Sequence, residues 1–135
     1  MNTKGYLAAA VSGIALLGCA TMTEKALPCN DAVCFVTVTV SSCSAISAVP
    51  DPVHIGQGTH NIQWNLQGAA GWTFTTDGIW IKNNSGALSN PTRLTPTKFQ
   101  WTDRNNDPPG TVYHYGIKVT DGRQTCIKDP DIMND

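Results

Sequence analysis

Phe35-Val36-Thr37-Val38-Thr39-Val40 sets valines between threonines in strict alternation. A period of two sends successive side chains to opposite faces of an extended chain, and β-branched residues suit a pleated surface. The stretch predicts a half-buried strand with Val36, Val38 and Val40 facing a core. The same period returns downstream. His60 to Leu66 places Ile62, Trp64 and Leu66 on one face, and Thr111 to Thr120 does so with Tyr113, Tyr115, Ile117 and Val119. Shorter strands are expected around Val53 to Ile55, Ile79 to Ile81, Phe99 to Trp101 and Gln124 to Ile127. Trp72 and Phe74 share a parity and should close the edge of the core.

Breakers separate these segments. They are Pro50-Asp51-Pro52, Gly56-Gln57-Gly58, the corner Gly68 to Gly71, Asn83-Asn84-Ser85-Gly86, Asp103 to Gly110 with Pro108-Pro109, and the hairpin signal Asp121-Gly122. Residues 87–97, with Pro91 and Pro96, read as a loop. No useful helical period follows the N-terminal segment. Short strands with frequent Gly and Pro turns predict an all-β fold, a single β-sandwich of about seven short strands.

The start of the chain has a different character. One cation, Lys4, precedes an apolar run from Leu7 to Leu17. That run is about half of the roughly 20 residues a membrane-crossing helix needs. It has no polar face to suit a buried helix, and it reads as the hydrophobic part of an export signal. The run ends Leu16-Leu17-Gly18-Cys19, with an aliphatic residue three before the cysteine and a small one just before it. This ending resembles the lipobox of bacterial lipoproteins. The resemblance implies cleavage before Cys19, a diacylglycerol on its thiol and acylation of its freed amine. Ala20 next to the cysteine, where an Asp would signal retention, then implies sorting to the outer membrane. Each buried methylene contributes about 0.8 kcal/mol, so two or three chains on one residue anchor almost permanently. The plain alternative is a secretory signal cut after Ala20 through Gly18-Cys19-Ala20.

On the lipoprotein reading the chain divides into a signal peptide, residues 1–18, a lipidated Cys and tether, 19–34, and a β-sandwich domain, 35–135. Removing the signal from 135 residues leaves 117, enough for one domain with a real core. It also removes Lys4 from the 9 Lys+Arg, leaving 8 against 10 Asp+Glu and a net charge of −2 with His neutral. No basic stripe is present, so nucleic acid is not an expected partner. In the mature part, the Gly58-x-x-x-Ile62-x-Trp64 opening and the Thr111 to Val119 strand resemble cupredoxin-like and immunoglobulin-like domains.

Four cysteines follow Cys19: Cys29, Cys34, Cys43 and Cys126. An even count in an oxidising compartment suggests two disulfides. Cys34 and Cys43 bracket one extended strand, at about 3.3 Å per residue. They lie too far apart for the roughly 7 Å Cα limit of a bridge. Parallel first and last strands would bring Cys43 to Cys126, which favours Cys29–Cys34 with Cys43–Cys126. The four spacings contain no C-x-x-C and no histidine at ligand spacing, which argues against a metal held by cysteine.

A blue-copper site needs two His, one Cys and usually an axial Met. Cys126 is followed by Ile127-Lys128-Asp129-Pro130-Asp131-Ile132-Met133, so the histidine of the cupredoxin loop is missing. His54, His60 and His114 could meet in space, but three unrelated histidines are the simpler expectation. Asp103-x-Asn105-x-Asp107 has the spacing of a calcium loop's start. Pro108 and His114 occupy the positions where an EF-hand wants Gly and Glu. A turn with Asx side chains on the backbone is the ordinary reading, and a non-EF calcium site the alternative. Asp77 and Asp103 have nothing in the sequence to pair them. No G-x-S-x-G, H-E-x-x-H or P-loop occurs, so no catalytic residue, metal or cofactor is assigned.

Trp80 lies between Ile79 and Ile81, which should point inward. Trp80 and Lys82 therefore belong to the opposite face. An outward aromatic beside a cation suits contact with a protein or sugar; the alternative is that residues 87–97 cover it. The expected function is a lipid-anchored, non-catalytic envelope module facing the periplasm from the outer membrane. Its partners would be the membrane, through Cys19, and another envelope protein or a glycan. A periplasmic inhibitor or immunity-type lipoprotein is the runner-up, ahead of a metal-binding protein or an enzyme.

Overall fold

A computed structural model of the chain describes residues 25–135. The expected export signal, residues 1–18, and Cys19 lie outside the described residues. Ten strands follow in order: β1 (Val33–Ser42), β2 (Ala45–Val49), β3 (Val53–Ile55), β4 (His60–Gly68), β5 (Thr73–Ile81), β6 (Leu88–Thr95), β7 (Lys98–Asp103), β8 (Thr111–Thr120), β9 (Thr125–Lys128) and β10 (Asp131–Asn134). One sheet has the order β2-β1-β4-β7-β6. The other runs β3-β10-β8-β5, with β9 also on β8. Both sheets are mixed, because β1 pairs parallel with β4 and β3 parallel with β10.

The alternating patterns set the registers. Val36, Val38 and Val40 are fully buried, and so are Ile62 and Trp64 beside them. Val36 pairs with Trp64, and Trp64 with Phe99. The second sheet answers with Tyr113, Tyr115, Ile117 and Val119. Aromatic rings lock the two layers. Trp64 meets Tyr115 at 5.3 Å between centroids, and Phe74 meets Phe99 edge-on at 6.1 Å. Each fully buried side chain of this size contributes about 1.5 to 3 kcal/mol. Burial pushes the Tyr115 hydroxyl far above the usual phenol range, and the Trp64 indole offsets part of that effect.

Three strands depart from expectation, which is why the count is ten rather than about seven. Residues 87–97 are not a loop: Leu88 to Thr95 form β6, the edge of the first sheet. Pro91 is tolerated because it falls where the β6–β7 register slips, between Ser89 and Thr92, beside Asn90 at φ 55°. A proline without an N–H fits an edge strand or a bulge. β2 and β10 are the other additions. Both are short and sit close to prolines, at Pro50 and Pro130.

Both disulfides, Cys29–Cys34 and Cys43–Cys126, are formed. The parallel first and last strands assumed for the second bridge are replaced by a different geometry. β1 and β9 belong to different sheets, and Cys43–Cys126 joins the layers across 83 positions of sequence. The first bridge holds the entry of the chain. Cys29 donates its N–H to the His54 carbonyl at 2.8 Å and accepts from Gly56 at 2.9 Å, so the fold begins ahead of Phe35.

Candidate functional site

The outward face of the second sheet gathers the residues singled out for binding. β5 and β8 are paired so that Trp80 stands opposite Gly116. Outward positions of β8 carry His114, Gly116 and Lys118, since Tyr113, Tyr115, Ile117 and Val119 are turned into the core. The indole of Trp80 lies on Gly116, and a Cβ there would overlap its six-membered ring. Lys118 Nζ sits 5.3 Å from the Trp80 ring centroid. Lys118 also hydrogen-bonds and ion-pairs with Asp77, and Thr75 donates to the same carboxylate at 2.8 Å. These donors hold the Asp77 carboxyl below its ordinary value, Lys118 foremost.

Trp80 is half-buried and its indole is fixed by backbone beneath and a cation alongside. Residues 87–97 are a strand of the opposite sheet, not a covering loop. The cation at the ring is Lys118 rather than Lys82. Lys82 follows β5 and pairs instead with Asp129 at 2.8 Å. Ile127 adds an apolar edge. It is 56% exposed and registers with Lys118 across the β8–β9 pair. Trp80, Gly116, Lys118 and Ile127 therefore form one strip across three strands, with His114–Asp131 and Lys82–Asp129 among its charged neighbours. Gly116 and Lys118 were visible in the sequence as outward positions of β8, but only the β5–β8 register shows that they flank Trp80.

The histidines have separate partners. His54 Nδ1 meets Asp135 at 2.6 Å, His60 Nδ1 the Asp31 carbonyl at 2.7 Å, and His114 Nδ1 Asp131 at 2.5 Å. Among the described residues, no three His, Cys, Asp or Glu side chains converge as metal ligands. Asp77 and Asp103 lie in different sheets, Asp77 at the surface and Asp103 fully buried. Cys29, Cys34, Cys43 and Cys126 are all consumed in disulfides.

The Asp103–Asp107 turn is built inward. Asp103 Oδ1 accepts the Asn105 N–H at 2.8 Å, and Asp107 Oδ2 accepts from the Tyr113 hydroxyl at 2.7 Å. Asn134 of β10 donates its amide to both carboxylates, at 3.4 and 3.2 Å. Asn134 had no signal in the sequence, because nothing in a four-residue strand marks one polar residue as inward-facing.

No family model matches the chain, and none of the curated proteins matches it significantly.

Proposed function

We propose that this protein is a lipid-anchored module of the cell envelope that binds another macromolecule, a protein or a glycan, through the Trp80 strip. The supporting observation is the fixed indole of Trp80 on the outer face of the second sheet, lying on Gly116 with Lys118 alongside. A rigid aromatic loses little freedom on binding, and such residues dominate interface energetics. Ile127 extends the apolar contact, and the Lys82–Asp129 ion pair and the His114–Asp131 hydrogen bond supply a polar rim. The anchor rests on the lipobox at Cys19 and the outer-membrane location on Ala20. A domain tied by two disulfides suits an oxidising compartment.

Two experiments test the halves of this reading. Cys19→Ser should release the protein from membranes or leave it unprocessed, and normal cleavage with retained membrane fractionation would refute the anchor. Immobilised wild-type protein and Trp80→Ala should then be compared on solubilised envelope fractions. Capture of a component by the wild type, weakened at least about tenfold in the variant, is expected for a hot spot of roughly 2 kcal/mol. Equal capture by both would refute the Trp80 face.

A further inference from the structure

The outward face of the first sheet is nearly without charge. The strand registers place its side chains in rows. One row runs Phe35, Gln63, Gln100 and Thr92, from β1 through β4 and β7 to β6. The next holds Thr37, Asn65 and Lys98. The ends of this row, and the rows on either side, add only Asn, Gln, Ser, Thr and Val. Lys98, at the first position of β7, is the one charged side chain in these rows. Charge gathers instead around the second sheet, at Asp77–Lys118 and Lys82–Asp129.

Two features of the face point to what it contacts. The first is Phe35, which stands outward among polar side chains and is 57% exposed. Full burial of such a ring contributes about 1.5 to 3 kcal/mol, and the fold leaves most of that gain unused. The second is the set of amides. Gln63 donates to Asn65 Oδ1 at 2.8 Å, and Thr102 donates to Asn61 Oδ1 at 3.0 Å. These bonds hold the Asn side chains in place, and they do not use the Asn NH₂ groups or the Gln63 oxygen. Ordering the amides in advance lowers the entropy lost on binding.

A surface of this composition suits few partners. A nucleic acid needs Lys and Arg against its phosphates. The core of a protein interface is enriched in aromatic, Met and Arg side chains, whereas Phe35 stands alone here among amides and hydroxyls. An uncharged sugar chain fits both features. Its hydroxyls donate and accept, and amides offer both functions in return. Its C–H faces lie well against the negative face of an aromatic ring. Five strands leave four gaps of about 4.8 Å, a width of about 19 Å, which accommodates several sugar units.

We propose that the outer face of the β2-β1-β4-β7-β6 sheet binds a neutral polysaccharide. Phe35 stacks on a sugar ring, and Gln63, Asn65 and Gln100 bond its hydroxyls. The inference does not depend on the Trp80 strip, which lies on the other sheet.

The test is native electrophoresis of the processed full-length protein, in a polyoxyethylene detergent, through gels containing dextran, mixed-linkage β-glucan, galactomannan or alginate. Retardation by at least one of the three neutral polymers is expected, with none by alginate, the acidic control. Added NaCl should not reduce it, because no charge is screened. Phe35→Ala should weaken binding at least about tenfold, the size of a hot-spot loss. It should leave the melting temperature nearly unchanged, because the ring is exposed. Gln100→Ala should also weaken binding, and it carries the test if Phe35→Ala destabilises the fold. Trp80→Ala should bind as the wild type does. Failure of all three neutral polymers to retard the protein overturns the proposal. So do equal retardation by alginate, undiminished binding in Phe35→Ala, and loss of binding in Trp80→Ala.

Discussion

Two tryptophans differ in burial, and so in what their loss should cost the fold. Trp64 is fully buried against Tyr115, while Trp80 is half-buried on the opposite side of its sheet. Trp64→Ala should cost about 3 to 5 kcal/mol of folding stability, the usual range for a core tryptophan. Trp80→Ala should cost only about 1 to 2 kcal/mol, from the area it shares with Gly116 and Lys118. Parallel denaturant melts check the ordering, and a Trp80 loss as large as that of Trp64 would make its ring structural. Asp77 gives a pH-dependent counterpart. Its carboxyl is held below its ordinary value, so the stabilising contribution is complete above the unfolded value and lost as pH falls through the folded one. Asp77→Asn should therefore lower stability near pH 7 and make progressively less difference as pH falls through the folded value. The side chain is largely exposed, so the effect should stay under about 1 kcal/mol, read from melts across that pH range.

At the scale of elements, alternation was legible wherever large apolar residues marked one parity. Val36-Thr37-Val38-Thr39-Val40 and Tyr113 to Val119 announced their faces and kept them. β2 announced less, because its buried positions hold only Ile46 and Ala48. β6 was hidden by Pro91, whose usual meaning is a break and whose meaning here is an edge. The strip around Trp80 was half legible. Parity gave its direction, but Lys118 and Ile127 join it through pairings between strands, which one sequence does not display. β5 adds a local irregularity between Phe74 and Ile79, two inward residues an odd distance apart. Gly78 permits it, since a Cβ there would come within 2.7 Å of the Phe74 Cβ. Gly78→Val should force Phe74 or the strand to shift, costing about 1 to 3 kcal/mol. A thermal melt checks the cost, and an undiminished melting temperature would mean that β5 relaxes freely.

For the whole molecule, the decisive covalent feature is the bridge between layers. Cys43–Cys126 closes a long loop and ties β9 to the turn after β1. Cys126→Ala should lower stability by about 2 to 5 kcal/mol, as for native bridges in small secreted domains. Mass mapping of non-reduced digests should recover Cys43 with Cys126, and a Cys34–Cys126 peptide would contradict the pairing. Strand length excluded Cys34–Cys43 and left two pairings; the right one was chosen on parallel first and last strands, which β1 and β9, in different sheets, do not form. The arrangement of the sheets was not legible, since the parallel pairs β1–β4 and β3–β10 join segments that no local turn connects.

The position of β10 has a kinetic consequence. Its residues, Asp131 to Asn134, lie between β3 and β8 rather than at an edge, so the second sheet has a gap until they arrive. A chain that emerges from a ribosome or a translocation pore N-terminus first can pair β1 with β4 early. It cannot join β3 to its sheet until Asp131 to Asn134 have emerged. Contacts of such long range slow folding, because the loop must close before any of them forms. Closure of the second sheet is therefore a late event: of the ten described strands, the tenth is the one that seats the third.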